Sequence, residues 1–201
     1  MPVAPRQLIL DRMAAASAAA GRPPATLLAV SKTQPAAAVA ALAAQGQQAF
    51  GENYVQEAAA KIAALRDQGL LLEWHLIGHL QSNKADQAAR LFDWVQSVDR
   101  PRLVEALARH RPADLPPLNV LIQVNIDDED SKHGCAPEVI ATLADAIASQ
   151  PRLRLRGLMA IPAPWPDADR RAATLRHMQH LARQLQHAHP QADVLSLGMS
   201  G

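Results

Sequence analysis

Short apolar runs alternate along the chain with longer segments whose apolar positions recur at helical spacing. The runs 27–32, 49–53, 73–78, 94–99, 119–126, 155–161 and 194–199 predict seven strands. The segments between them, 35–45, 54–68, 82–91, 100–110, 137–150 and 168–189, predict helices, and a further helix is expected over 6–20. Stop and start signals agree with this division. Gly21 and Pro23 follow the first helix, Gly46 the second and Gly69 the third; Ser82 and Asp99 are expected to cap the helices that follow them, the second with Pro101 in its first turn. In the first helix Leu8, Ile9, Arg12 and Met13 suit an amphipathic surface. Strands separated by helices of this length mean right-handed βαβ units and a parallel sheet.

Two parallel architectures compete. A doubly wound nucleotide fold wants a glycine-rich turn after its first strand, but that strand is followed by Thr33-Gln34-Pro35. A barrel carries polar residues at the C-terminal ends of many strands. Here those ends read Lys32, Asn53, His79, Asp99, Asn125 and Met199-Ser200-Gly201. On the fifth strand Val120, Ile122, Val124 and Ile126 share one face, suited to helices; Leu121, Gln123 and Asn125 share the other, where inward polar groups need partners that a ligand cavity supplies. The expected fold is α/β, a (β/α)8 TIM-type barrel over 1–201 as a single domain, with the helix 6–20 packed outside it. Seven strands leave an open edge, so the eighth is expected in a natural chain that continues beyond residue 201.

Composition narrows the function classes. Of the 201 residues, 49% are hydrophobic and 19% charged, enough for a buried core. The net charge of +1 offers no basic excess for nucleic acid, and no apolar run reaches membrane-spanning length. The Ala-rich stretch 13–20 is cut off from 8–10 by Asp11 and Arg12, so it makes no continuous signal-peptide core. A single cysteine, Cys135, fits a reducing compartment, and the chain is expected to be cytoplasmic.

Four lysines stand against sixteen arginines. Lys61, mid-helix, and Lys132, in a charged loop, read as solvated; Lys84, in a first helical turn, suits either solvent or a ligand anion. Lys32 ends the buried first strand, where it either reaches for solvent or serves as an amine that attacks a carbonyl. Ser200-Gly201 lies after the seventh strand, where barrels often bind phosphate. The histidines lack metal-ligand spacing, so no metal site is expected; the acidic run 127–130 reads as a solvated loop; and Cys135 has no base at a fixed spacing.

Five segments together resemble a known family: Leu28-Ala29-Val30-Ser31-Lys32-Thr33, Phe50-Gly51-Glu52-Asn53-Tyr54-Val55-Gln56-Glu57, Trp74-His75-Leu76-Ile77-Gly78-His79-Leu80-Gln81-Ser82-Asn83-Lys84, Arg156-Gly157-Leu158-Met159-Ala160-Ile161 and Leu195-Ser196-Leu197-Gly198-Met199-Ser200. They run in order through the whole chain, which is similar to the YggS/PROSC family of pyridoxal-phosphate-binding proteins. The resemblance implies a barrel like the alanine racemase N-terminal domain, with pyridoxal 5′-phosphate (PLP) held as a Schiff base on Lys32. It implies that Asn53 and Met159 line the cofactor, that Ser200, with Gly201 beside it, takes the phosphate, and that His79 and Asn83 stand near the mouth. It further implies a monomer that acts in intracellular vitamin B6 homeostasis, with PLP-dependent apoenzymes as recipients and no catalytic residue. The family pattern continues past residue 201 with a helix and a strand carrying an Arg-x-Gly-Thr-type segment. The alternatives are a PLP-dependent racemase-like enzyme, in which Tyr54, the only tyrosine, would have to supply the second acid–base group, and a lysine-dependent aldolase.

Overall fold

The structure, a computed structural model, describes residues 5–129 and 133–198. The expected alternation is present: α1 (Pro5–Ala19), β1 (Ala29–Val30), α2 (Ala36–Ala43), β2 (Ala49–Glu52), α3 (Val55–Arg66), β3 (Glu73–Leu76), α4 (Ala85–Leu91), β4 (Trp94–Val98), α5 (Pro101–His110), β5 (Leu118–Gln123), α6 (Ile140–Ala148), β6 (Leu153–Ala160), α7 (Ala168–Ala188) and β7 (Val194–Leu197). Among the described residues the seven strands form one parallel sheet in simple chain order. Each crossover helix therefore returns the chain to the next position, the winding that builds a barrel wall.

The sheet is curled. Strands β4 and β7 lie three spacings apart, about 14 Å in a flat sheet, yet Ser196 Oγ on β7 donates to Gln96 Oε1 on β4 at 2.7 Å. The outer face carries the apolar core. Phe50, Leu76, Val120 and Leu158 meet Val39, Ile62, Leu103 and Leu143 from the helices, all almost fully buried. On β6, Gly157 has φ +139, and a Cβ there would stand 1.9 Å from Val194 O. Only glycine lets β7 pair at that point.

The local signals held in part. Gly21, Gly46 and Gly69 take left-handed φ values of 61°, 87° and 76° as the chain leaves α1, α2 and α3. Ser82 does not cap a helix: it opens a 3₁₀ turn, Ser82–Lys84, whose N-cap position is Gln81. Asp99 does not cap α5 either; Arg100 is the N-cap and Asp99 accepts from the Arg100 guanidinium instead. The amphipathic expectation for α1 is overturned, because α1 buries none of its residues and leaves Leu8 and Ile9 exposed. Arg6 ties it to the end of α2 through Gln47 Oε1 and the carbonyls of Gln45 and Gly46. No described helix is long and apolar enough to cross a membrane.

Candidate functional site

The strand ends meet on the concave side of the sheet. Beyond β1 the ladder continues, with Ser31 N–H donating to Gly51 O at 2.9 Å. Ser31 is 4% exposed and its hydroxyl reaches Glu52 on the outer side. Strand alternation then puts Lys32 with Val30 on the concave face. Val30 is 51% exposed, so that face is open there. Lys32 is half-buried and makes no hydrogen bond or ion pair among the described residues. Val30 pairs with Gly51, so Asn53, two residues on, lies beside Lys32. The Asn53 backbone packs on Gly78, where a Cβ would fall 2.2 Å from Asn53 O. Opposite, Met159 on β6 is paired with Gln123 and with Ser196. Lys32, Asn53 and Met159 thus share the concave, C-terminal side of the sheet.

Polar side chains cross this concave surface as a chain. Ser196 donates to Gln96, Gln96 Nε2 donates to His75 Nδ1 at 2.7 Å, and His75 Nε2 is left to donate to Glu73 at 2.8 Å. His75 also stacks on Trp94, 5.2 Å between centroids. The hydrogen bond from His75 holds the Glu73 carboxyl below its ordinary range, against partial burial. Sequence reasoning missed this chain; Gln96 and Ser97 inside the buried strand Trp94–Val98 were the available signal.

Lys61 is the clearest correction. It is not solvated: its side chain is 5% exposed, and its Nζ donates to Glu52 Oε1 at 2.6 Å, Ser31 O at 2.7 Å and Glu57 Oε1 at 3.1 Å. Its place in the stripe Ala58, Ile62, Leu65, all buried on α3, was the cue. The acidic loop is corrected too. Asp127 is not merely solvated; it accepts from Ala163 N–H, Trp165 Nε1 and Thr174 Oγ1 and ties down the proline-rich 162–166 segment.

His79 stands past the end of β3, stacked on His133 at 3.8 Å and 3.9 Å from Asp99. Burial, then the His133 and Arg100 charges, lower its pKa against the pull of Asp99. Asn83 is not brought to Lys32; it lines an outer groove with Arg102, Glu105 and Arg109. Ser200, Gly201 and Lys132 lie outside the described residues. Among the described residues no cluster of three His, Cys, Asp or Glu could hold a metal. Cys135 is buried, which pushes its thiol up to about 11 and keeps it unreactive at neutral pH.

Comparison with known proteins gives this arrangement relatives. Residues 7–201 match the model of the alanine racemase N-terminal domain. The pyridoxal phosphate homeostasis protein of Escherichia coli K12 is 51% identical over 195 residues, covering 96% of this chain and 83% of that protein. Its namesake from Pseudomonas aeruginosa PAO1 is 51% identical over 194 residues, covering 96% and 82%. The structure of PipY from Synechococcus elongatus PCC7942 with PLP bound superposes with a TM-score of 0.78 at 37% identity, covering 96% of this chain and 90% of that one. Alanine racemase from Corynebacterium glutamicum, at 21% identity and a TM-score of 0.64, covers 94% of this chain and 50% of that one, and shares the fold. A curled parallel sheet with a lysine at the end of its first strand, matched along nearly its whole length, places this chain in the alanine racemase N-terminal domain family, among the pyridoxal phosphate homeostasis proteins.

Proposed function

We propose that this protein binds pyridoxal 5′-phosphate, holding it reversibly as a Schiff base on Lys32, and serves PLP homeostasis rather than catalysis. The observation that carries the reading is the Lys32 amine, with no partner among the described residues, on an open concave face beside Asn53 and opposite Met159. The residues present fit such a ligand. An aldehyde needs an amine that no carboxylate holds, and Gln123 Oε1, on the concave face, is buried without a partner among the described residues. When bound, the cofactor supplies an aldehyde carbon. Lys32 Nζ would be the amine that holds that carbon, with Asn53, Met159 and Gln123 bordering it, and water or an incoming amine would release it. Ser200 and Gly201 are proposed to take the phosphate, His79 to stand at the mouth, and Met159 to line the cofactor; Asn83, in the outer groove, is left out of this set.

Release to PLP-dependent apoenzymes follows from that reversibility. The names of the relatives support a holding role. A racemase would need a second acid–base group, and Tyr54 is 63% exposed at the start of α3. The same reading takes residues 1–201 as one barrel unit acting as a monomer in the cytoplasm. The test is a spectrum of the purified protein with added PLP, followed by borohydride reduction and peptide mapping. The visible Schiff-base band is expected, with the label on Lys32, and Lys32→Ala should remove both. A label on Lys84, or steady Lys32-dependent racemisation of alanine, would overturn the reading.

A further inference from the structure

The peptide on both sides of Lys32 is held from the outer face of the sheet. On the N-terminal side Ser31 O accepts from Lys61 Nζ at 2.7 Å, and Ser31 Oγ donates to Glu52 Oε1 at 2.5 Å, the oxygen that also accepts from Lys61. On the C-terminal side Thr33 N–H donates to Glu57 Oε1 at 2.6 Å, and that oxygen is 3.1 Å from Lys61 Nζ. Thr33 has φ 63°, a left-handed conformation that a β-branched residue rarely takes. Such a conformation persists only where the surroundings over-determine it. Lys61 spends all three donors of an ammonium on Ser31, Glu52 and Glu57, so its amine is committed and that of Lys32 is not.

We propose that Lys61 is a positioning residue for Lys32: through Ser31 and Glu57 it fixes the strained turn that turns the Lys32 side chain toward the concave face. A plain structural ion pair would need only Glu52. The contacts to Ser31 O and Glu57 add a hold on each side of Lys32, and a buried ion pair alone is commonly replaceable by apolar residues. The inference rests on the reading of Lys32 as the PLP-bearing amine.

The experiment compares wild-type protein with Glu57→Ala, Glu57→Gln and the paired variant Glu52→Gln with Lys61→Met, which leaves no buried charge unpaired. Amide exchange over 31–34 is read in the protein without added cofactor, and PLP affinity by equilibrium dialysis, with borohydride mapping of the label. The paired variant should exchange faster over 31–34 and bind PLP about tenfold more weakly, with the label still on Lys32. Glu57→Ala, on a half-buried residue, should speed exchange over 31–34 and weaken binding about three- to fivefold. Glu57→Gln keeps an acceptor for Thr33 N–H and should stay within about twofold of wild type. Wild-type exchange and affinity in the paired variant would overturn the proposal, as would Glu57→Gln behaving like Glu57→Ala. If the paired variant does not fold, the two Glu57 variants decide. Should Lys32→Ala keep the Schiff-base band, the functional reading fails, while exchange over 31–34 still judges what Lys61 holds.

Discussion

Lys32 and Lys61 stand on opposite faces of the same strand end, and their surroundings differ as the two faces do. On the outer face, apolar side chains of sheet and helices interlock, and the buried Lys61 ammonium meets two carboxylates and a carbonyl. On the concave face, His75, Gln96, Gln123 and Ser196 bond laterally to one another, to Glu73 or to backbone, and Lys32 makes no hydrogen bond or ion pair among the described residues. Buried polar groups left short of partners cost free energy. The outer face therefore carries most of the apolar burial, and the concave face leaves Lys32 Nζ and Gln123 Oε1 without hydrogen-bond partners among the described residues.

The sharpest break between the faces should come from Leu143→Ala. Leu143 on α6 is fully buried in the outer core. Its truncation should remove about 2–5 kcal/mol of stability, read by urea denaturation, while folded protein keeps its PLP affinity. An affinity loss as large as the stability loss would mean that the faces are not separable.

Next in size is Gln96→Leu, which takes away the partner of both His75 and Ser196. With those groups only partly satisfied by others, the expected cost is about 1–2 kcal/mol. Denaturation of the two variants side by side checks the order. A greater loss from Gln96→Leu than from Leu143→Ala would make the concave chain, not the outer core, the main brace of the sheet.

The same division explains how much could be read from sequence. Periodicity and glycine stops gave the strand and helix order because each outer-face stripe is apolar over several turns or residues, as in Ala58, Ile62 and Leu65. The strand-end position of Lys32 was legible because it closes an apolar run. Lys61 was not, because a charged residue inside an apolar stripe looks solvated until its carboxylate partners, one of them on β2, are known. Asp127 was hidden in the same way among neighbouring acids, since only the folded chain brings Ala163, Trp165 and Thr174 to it. The 3₁₀ turn before α4 displaced the expected Ser82 cap, and caps are decided by one residue of backbone geometry.

The smallest expected effect lies where the two faces meet solvent, at His79. Burial and the neighbouring His133 and Arg100 lower its pKa from the ordinary 6.5, and Asp99 only partly offsets them. Below pH 6.5 the unfolded chain therefore binds a proton at this position that the folded chain resists. His79 should cost stability as the pH falls through that window, and the cost should level off below its folded pKa. Replacing it by asparagine removes the penalty. The melting temperature of His79→Asn should thus gain on wild type as the pH is lowered from neutrality toward about 5, with PLP absent. The opposite trend, wild type gaining in acid, would mean that Asp99 governs His79, making the rim a charge-paired region like the Lys61 cluster rather than part of the open concave face.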